Sequence, residues 1–400
     1  MNICFVYKNY PILTNKKNSG IGIYIENLAK EISKKNKIII LTRSQQKGHF
    51  QRGNIFIYSL GWLPKSGFLN KRFLKFFIHN FQIAFYLIYI HLQQGISLIE
   101  FPNWEAEGSI FTLFFNGFLN IPIVVRLHTV SKTLYQIEED DSLSARLIST
   151  MEKIFVSCKD TVLTSSTIKH ASFCKRIYKL KNKKIKILPI GIKIPKEKQQ
   201  HSILASSEEK NLNVLFLGRL EKRKGIFVFL KSIKYILKKH PFTNFIIVGE
   251  DNLGLKNFVH QHFSVEDLLK VHFLGYVGDR NLLEKLYRLA DVCIFPSLYE
   301  SFGLTIIEAM SLKKAVVASK VGGIANIIEH KKTGLLIKKN DIKDSVDKIS
   351  LLLSSSELRK KIGEAAFQTV SSRYNLKETA QKSIEFYEKI IARKKHTNYF

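Results

Sequence analysis

Cysteine is scarce in this 400-residue sequence: Cys4, Cys158, Cys174 and Cys293 are its four, scattered and without metal-ligand spacing. Each lies in or beside an apolar stretch, which excludes a disulfide scaffold and implies reduced, buried thiols in a cytosolic protein. No secretory leader is expected either. The apolar run at 2–7 meets Lys8 and Pro11 before an h-region forms. Long hydrophobic runs are missing as well. The nearest approach, residues 81–92, falls short of the roughly 20 that a spanning helix requires, so no membrane span is expected. Acidic residues are few, with 33 Asp and Glu against 63 Lys and Arg, a net charge of +30. Such a field attracts nucleic acid, anionic lipid or diphosphates, but a chain rich in Lys, Ile, Asn and Phe throughout acquires it by composition alone. Charge therefore selects no function.

What is present is globular, with 45% hydrophobic and 24% charged residues. Four hundred residues suit two domains. Short β-branched runs alternate with segments of helical period, the pattern of βαβ units and a parallel sheet. Strands are expected at 3–7, 38–41, 55–59, 98–101, 123–127, 161–164 and 185–188, with helices at 23–35 and 72–94. Between 189 and 207 the pattern dissolves into Pro, Lys, Gln and Ser. A fresh series follows, with strands at 214–217, 245–248, 271–273, 292–295, 315–318 and 335–337 and helices at 226–238, 280–289 and 305–311. The expected class is α/β, with two Rossmann-like, doubly wound domains facing across a cleft. The first spans 1–195, a linker 196–210, and the second 211–375. A terminal helix in 376–400, roughly 377–392, is expected to pack back on the first domain. In such folds ligands sit at the carboxyl ends of the strands.

Four places carry chemistry. After the strand 214–217, Gly218 permits a turn that holds Arg219 and Lys224, cations able to neutralise a diphosphate leaving group without a metal. Taken alone, this is equally a solvated basic turn. After the strand 292–295, a loop with Glu300, Phe302 and Gly303 opens a helix whose N-terminal amides attract phosphate. Glu308 stands in that helix between Ile306–Ile307 and Ala309–Met310, an apolar setting for an acid. With full helical spacing the two carboxylates would lie about 12 Å apart, one for a sugar hydroxyl and one for a ribose diol. The bland alternative makes Glu300 a helix cap and Glu308 a surface residue. The third place, 19–22, puts Gly20 and Gly22 in a turn before a helix, either a phosphate-facing loop or a flexible entry. The fourth is His128, at the end of a strand, where an imidazole reaches a sugar hydroxyl or serves the core.

Together these motifs resemble the retaining glycosyltransferases of family 4, the group 1 glycosyltransferases of GT-B fold. The resemblance covers nearly the whole chain. It rests on the Glu300-x7-Glu308 element, the Gly-Arg-Leu-x3-Lys-Gly element at 218–225, Val-Gly-Gly-Ile at 321–324 and Lys-Thr-Gly-Leu-Leu at 332–336, in the family's order. It implies that Arg219 and Lys224 hold the donor diphosphate and Glu308 the ribose. Glu300 and the segment Phe302, Gly303, Leu304 and Thr305 hold the donor sugar. Gly249, Tyr276 and Val277 lie along the base, Gly20 and Gly22 approach the diphosphate, and His128 touches the transferred sugar. Trp104 and Glu105 fall in a segment, 103–108, that resembles one carried on the acceptor side by many bacterial members. Two departures stand out: Ile324-Ala-Asn326 replaces the family's usual x-Pro-Glu, and Ile190-Gly-Ile-Lys193 replaces Asn-Gly-Val-Asp.

The resemblance implies a cytoplasmic transferase, at the inner face of the membrane for a lipid-linked acceptor. It would move sugar from a nucleotide-sugar donor to a glycan or lipid-linked acceptor in bacterial surface polysaccharide synthesis. No metal or other cofactor is expected, and no nucleic-acid partner. Asp140 and Asp141 read as a solvated helix start rather than a metal motif. Two alternatives remain: a sugar-nucleotide 2-epimerase of the same fold, and a non-catalytic polyanion binder. Residues 65–92 hold several cations and aromatics but no acid, which suits docking on anionic lipid or an ordinary buried helix.

Overall fold

The computed structural model describes residues 1–11, 19–61, 72–195 and 211–397. The expected linker at 196–210, and the part of the basic run at 65–71, lie outside the described residues. The chain forms two compact units: Met1–Gly191 together with Leu376–Phe400, and Ile192–Asn375.

In the first unit the strands are β1 (Asn2–Val6), β2 (Lys37–Ser44), β3 (Gly48–Arg52), β4 (Ile55–Gly61), β5 (Leu98–Pro102), β6 (Ile123–Leu127), β7 (Thr161–Ser165) and β8 (Ile185–Ile187). They form one sheet in the order β3-β4-β2-β1-β5-β6-β7-β8. All neighbours are parallel except β3, which pairs antiparallel with β4. That edge strand was not expected: His49, Gln51 and Arg52 give it no apolar run, and its pairing comes from the turn at 53–54. The central strands are buried along nearly their whole length because helices cover both faces, which is why they read as continuous apolar runs.

The second unit holds β9 (Leu212–Leu217), β10 (Thr243–Val248), β11 (Val271–Gly275), β12 (Val292–Phe295), β13 (Ala315–Ser319) and β14 (Leu335–Ile337). Their order is β11-β10-β9-β12-β13-β14, parallel throughout. Each sheet grows outward in both directions from a central pair, β1/β5 in one and β9/β12 in the other. Chain direction across the sheet reverses there, the place where an open α/β sheet offers a ligand site.

Two sequence expectations change. The helix expected at 23–35 is Gly20–Ile32, because the Ser19 hydroxyl caps it by accepting from the Gly22 amide at 3.0 Å. Gly20 and Gly22 are thus the first turn of a helix, not a turn preceding one. Of the four free cysteines, Cys4, Cys174 and Cys293 are buried, but Cys158, at a helix C-terminus, is only half-buried.

The final helix, Leu376–Thr397, belongs to the first unit. Its Tyr387 hydroxyl donates to Glu100 on β5 at 2.6 Å. The same carboxylate accepts from Tyr24 (2.8 Å) and from Arg126 on β6 (3.1 Å), while Arg126 also donates to the Leu188 carbonyl at 3.0 Å. The Glu100 carboxylate thus accepts from three directions, which offsets the cost of burying it; on the arginine, Nη2 has no hydrogen-bond partner among the described residues.

Candidate functional site

In the second unit β9 and β12 lie side by side, and the loops that leave their carboxyl ends interlock. The first, 218–225, precedes the helix Ile226–Lys239; the second, 296–303, precedes the helix Leu304–Ser311. Backbone closeness comes first. Gly225 has φ +71°, and a Cβ there would fall 1.8 Å from the Pro296 carbonyl oxygen, so only glycine lets the loops touch. The Leu298 amide then donates to the Arg223 carbonyl at 2.8 Å. A third loop joins after β13, where the Gly323 amide donates to the Glu300 carbonyl at 2.9 Å and Gly322 and Gly323 lie flat against the 300–301 backbone.

This framework sets Lys224 against Glu300, Nζ to Oε2 at 2.5 Å, with both side chains largely buried. Burial pushes the Glu300 pKa up, but the charges of Lys224 and Arg223 outweigh it, and the carboxyl titrates at about 2. Lys224 is lowered from its ordinary value by burial and by Arg223, against the pull of Glu300. Three residues on, the helix begins at Gly303, which has φ +112° and no side-chain cap. The amides of a first helical turn have no partner within the helix, so this end is an anion-attracting surface beside an ionised carboxylate and an ammonium. Glu300 does not cap the helix; its carboxylate faces Lys224.

The other residues of this unit spread around that centre. Arg219 does not join Lys224. Its side chain is 69% exposed and lies 3.3 Å from Glu221. Glu308 accepts from Arg280 (3.0 Å) and from the Tyr287 hydroxyl (3.2 Å), and burial, the larger influence, raises its pKa in spite of Arg280. The Tyr287 hydroxyl also donates to the Thr305 carbonyl at 3.2 Å. Leu304 is the first residue of the helix, and Phe302 is buried against Tyr374, ring centroids 5.6 Å apart. At the ends of β10 and β11 the Gly249 amide donates to Gly275 at 2.9 Å, followed by an exposed Tyr276 and a half-buried Val277.

Comparison with known proteins gives this geometry relatives. Residues 196–369 match the family model described as glycosyl transferases group 1. That segment, just under half of the chain, is thus similar to the group 1 glycosyl transferases. An uncharacterised glycosyltransferase of Methanocaldococcus jannaschii is 26% identical over 351 residues, covering 86% of this chain and 88% of that one. A capsular polysaccharide biosynthesis glycosyltransferase of Staphylococcus aureus is 27% identical, covering 56% of this chain and 60% of its own. Several curated relatives are matched over only about half their length, among them a second M. jannaschii glycosyltransferase, 32% identical over 47% of each chain. Among solved structures, sucrose-phosphate synthase from Thermosynechococcus elongatus has a TM-score of 0.82 at 20% identity, covering 98% of this chain and 99% of its own. Anabaena HepE in complex with UDP and glucose has a TM-score of 0.69 at 19% identity, covering 97% and 100%. At such identities the likeness is one of fold, and the fold is GT-B.

The residues expected in the first unit are placed as follows. His128 is buried with its ring 5.5 Å from that of Tyr24, and burial first, then Arg126 and His170, holds its pKa well below 6.5, so the imidazole is neutral. Trp104 and Glu105 form a short turn after β5, Glu105 with φ +52° and its carboxylate paired with Lys8 after β1. Behind them Glu107 is fully buried, and neither of its carboxylate oxygens has a hydrogen-bond partner among the described residues. His79 Nε2 lies 3.8 Å away. Asp140 accepts from Arg72 at 2.8 Å and from the Ser142 amide, as a loop anchor. The Gly22 amide is already taken by Ser19. Among the described residues no group of three or more His, Cys, Asp and Glu is arranged to hold a metal ion.

Sequence reasoning passed over Arg223, Arg280 and Tyr287. Arg223 is the least visible: it sits in a basic run, yet it is buried. It donates to Glu221 from Nε (3.0 Å) and Nη2 (2.7 Å) and to the Tyr299 carbonyl (3.3 Å), and lies 3.9 Å from Glu300. It is the bracket between the two loops. Arg223→Met is expected to cost about 3 kcal/mol in chemical denaturation, because Glu221 and Glu300 lose a buried counter-charge. Adding Glu221→Gln should return part of that loss. Additive or worse behaviour in the double variant would show that Arg223 acts by packing alone.

Proposed function

We propose that this protein moves a sugar from a nucleotide-sugar donor to a glycan or lipid-linked acceptor, with retention of configuration and without a metal. The observation that carries the reading is the Lys224–Glu300 pair beside the uncapped helix start at Gly303. Ammonium and helix amides stabilise a departing diphosphate, the role that backbone donors and cations play where charge develops in a transition state. Glu300, held ionised, accepts hydrogen bonds from sugar hydroxyls, and Glu308 from the ribose diol, where Arg280 and Tyr287 steady its carboxylate. Arg219, exposed and flexible, adds charge to the diphosphate. The acceptor oxygen bonds to the anomeric carbon on the face from which the diphosphate leaves, and the acceptor proton passes to the leaving phosphate oxygen. No protein base is needed in that displacement. In the first unit His128, neutral, donates or accepts at the transferred sugar, and Trp104 and Glu105 belong to the acceptor side.

The capsular relative supports a role in surface polysaccharide synthesis, and a lipid-linked acceptor would put the reaction at the cytoplasmic face of the membrane. The UDP held by the HepE structure makes UDP-sugars the first donors to try. A thermal-shift series over UDP-, GDP- and ADP-sugars is expected to give one clear stabilisation, unchanged in excess chelator and lost in Glu300→Gln. If none shifts the melting temperature, the donor reading fails. If stabilisation needs a divalent ion, the metal-free mechanism fails. Release of an altered nucleotide sugar without any acceptor would make the protein an epimerase instead.

A further inference from the structure

One helix among the described residues, Arg72–Gln94, is long and apolar enough to cross a membrane, with a mean hydropathy of 1.4. It does not stand alone: its inner face, including Phe76, Ile83, Leu87 and Ile90, packs into the core of the first unit. At 100° per residue those side chains occupy one side. The side turned away ought to be polar in a helix lying on a sheet. Here it carries Phe81, Phe85 (61% exposed), Tyr89 and Leu92 (74% exposed). A second segment, distant in sequence, extends the same surface. The one-turn π-helix Phe111–Phe115 and the following turn set Phe115 against Phe85, ring centroids 6.0 Å apart, and leave Phe114 65% and Phe118 92% exposed. Two unrelated stretches thus converge on one apolar, aromatic face, larger than scattered surface hydrophobics account for.

We propose that this face docks on an anionic lipid bilayer, with Phe85, Phe114 and Phe118 entering the headgroup boundary. Charge chooses the occupant. No Asp or Glu occurs in residues 65–99 or 108–137, while Lys65, Lys71, Arg72 and Lys75 fall in sequence at or before the helix start, in a chain of net charge +30. Asp140, from another segment, pairs with Arg72 at 2.8 Å, so the attraction rests on the excess of cations in the chain and not on Arg72. An aromatic face whose own segments carry no acid matches an anionic interface. A second copy of the chain would bring the same positive field against itself. The proposal sharpens the lipid-linked reading of the acceptor above but stands apart from the donor site.

The test is sedimentation of the full chain with vesicles of phosphatidylglycerol and phosphatidylcholine, and with phosphatidylcholine alone. Binding is expected to the anionic vesicles and to fall about tenfold or more in Phe114→Ser/Phe118→Ser, whose exposed sites leave the fold intact. The nucleotide-sugar thermal shift should be the same in both proteins, so loss of docking and failure of the donor reading are told apart. Three results would overturn the proposal. One is no sedimentation of the parent protein; another is equal binding by the variant, which would reduce the effect to charge. The last is a dimer in the parent that the two serines abolish.

Discussion

Lys224→Ala is expected to lower kcat/KM for the nucleotide-sugar donor by about a hundred- to a thousandfold, the usual consequence of removing one strong charge-stabilising donor. The lysine is tied to a buried carboxylate, and its loss is felt there as well. In the parent protein the charges of Lys224 and Arg223 hold Glu300 at about 2 against the upward push of burial. Without Lys224 that push meets less opposition, and the pKa rises. In the proposed mechanism ionised Glu300 is the form that accepts from sugar hydroxyls, so residual activity in the variant should fall toward acid across a range where the parent is flat. The sign for stability follows from the same shift. The folded pKa lies below the ordinary 4.5, so the stabilisation is complete above pH 4.5 and is lost as pH falls toward 2. In the variant that stabilisation is smaller, and its loss is complete at a higher pH. A pH series of kcat/KM and of denaturation midpoints reads both. A variant as flat in pH as the parent would mean that Lys224 does not control Glu300.

A change with no charge in it should be nearly as severe. Gly225→Ala places a methyl 1.8 Å from the Pro296 oxygen at φ +71°, so clash and backbone strain act together. We expect a loss of about 2–4 kcal/mol in the stability of the second unit. Donor affinity should fall with it, because the loops that present Lys224 and Glu300 can no longer touch. Gly218→Ala is the matched control, since a Cβ there meets nothing within 4 Å. Equal melting of the two alanine variants would show that the loop contact is dispensable.

The sequence made the architecture readable where burial is two-sided. Strands such as Val292–Phe295 and Ala315–Ser319 are continuous apolar runs because helices cover both faces of the sheet. The loops after β9 and β12 were readable because glycines and an acid in apolar company stand out. Partner choice was hidden. Nothing local tells that Lys224 meets a carboxylate 76 positions away, or that Arg219 points outward. Arg223 was masked by its neighbours, since a buried arginine in the run Lys222, Arg223, Lys224 has the same letters as a solvated one. Gly20 and Gly22 misled for the opposite reason: a glycine pair suggests a loop, and one serine hydroxyl was enough to begin the helix earlier.

The hydrogen bond from Tyr387 to Glu100 spans 287 positions, with the whole second unit lying between its ends. On the ribosome, where domains are released in order from the N-terminus, the second unit emerges complete while the first still lacks its closing helix. The domain that begins the chain is therefore the last to finish, and Glu100 and Arg126 await their third partner until the final helix is made.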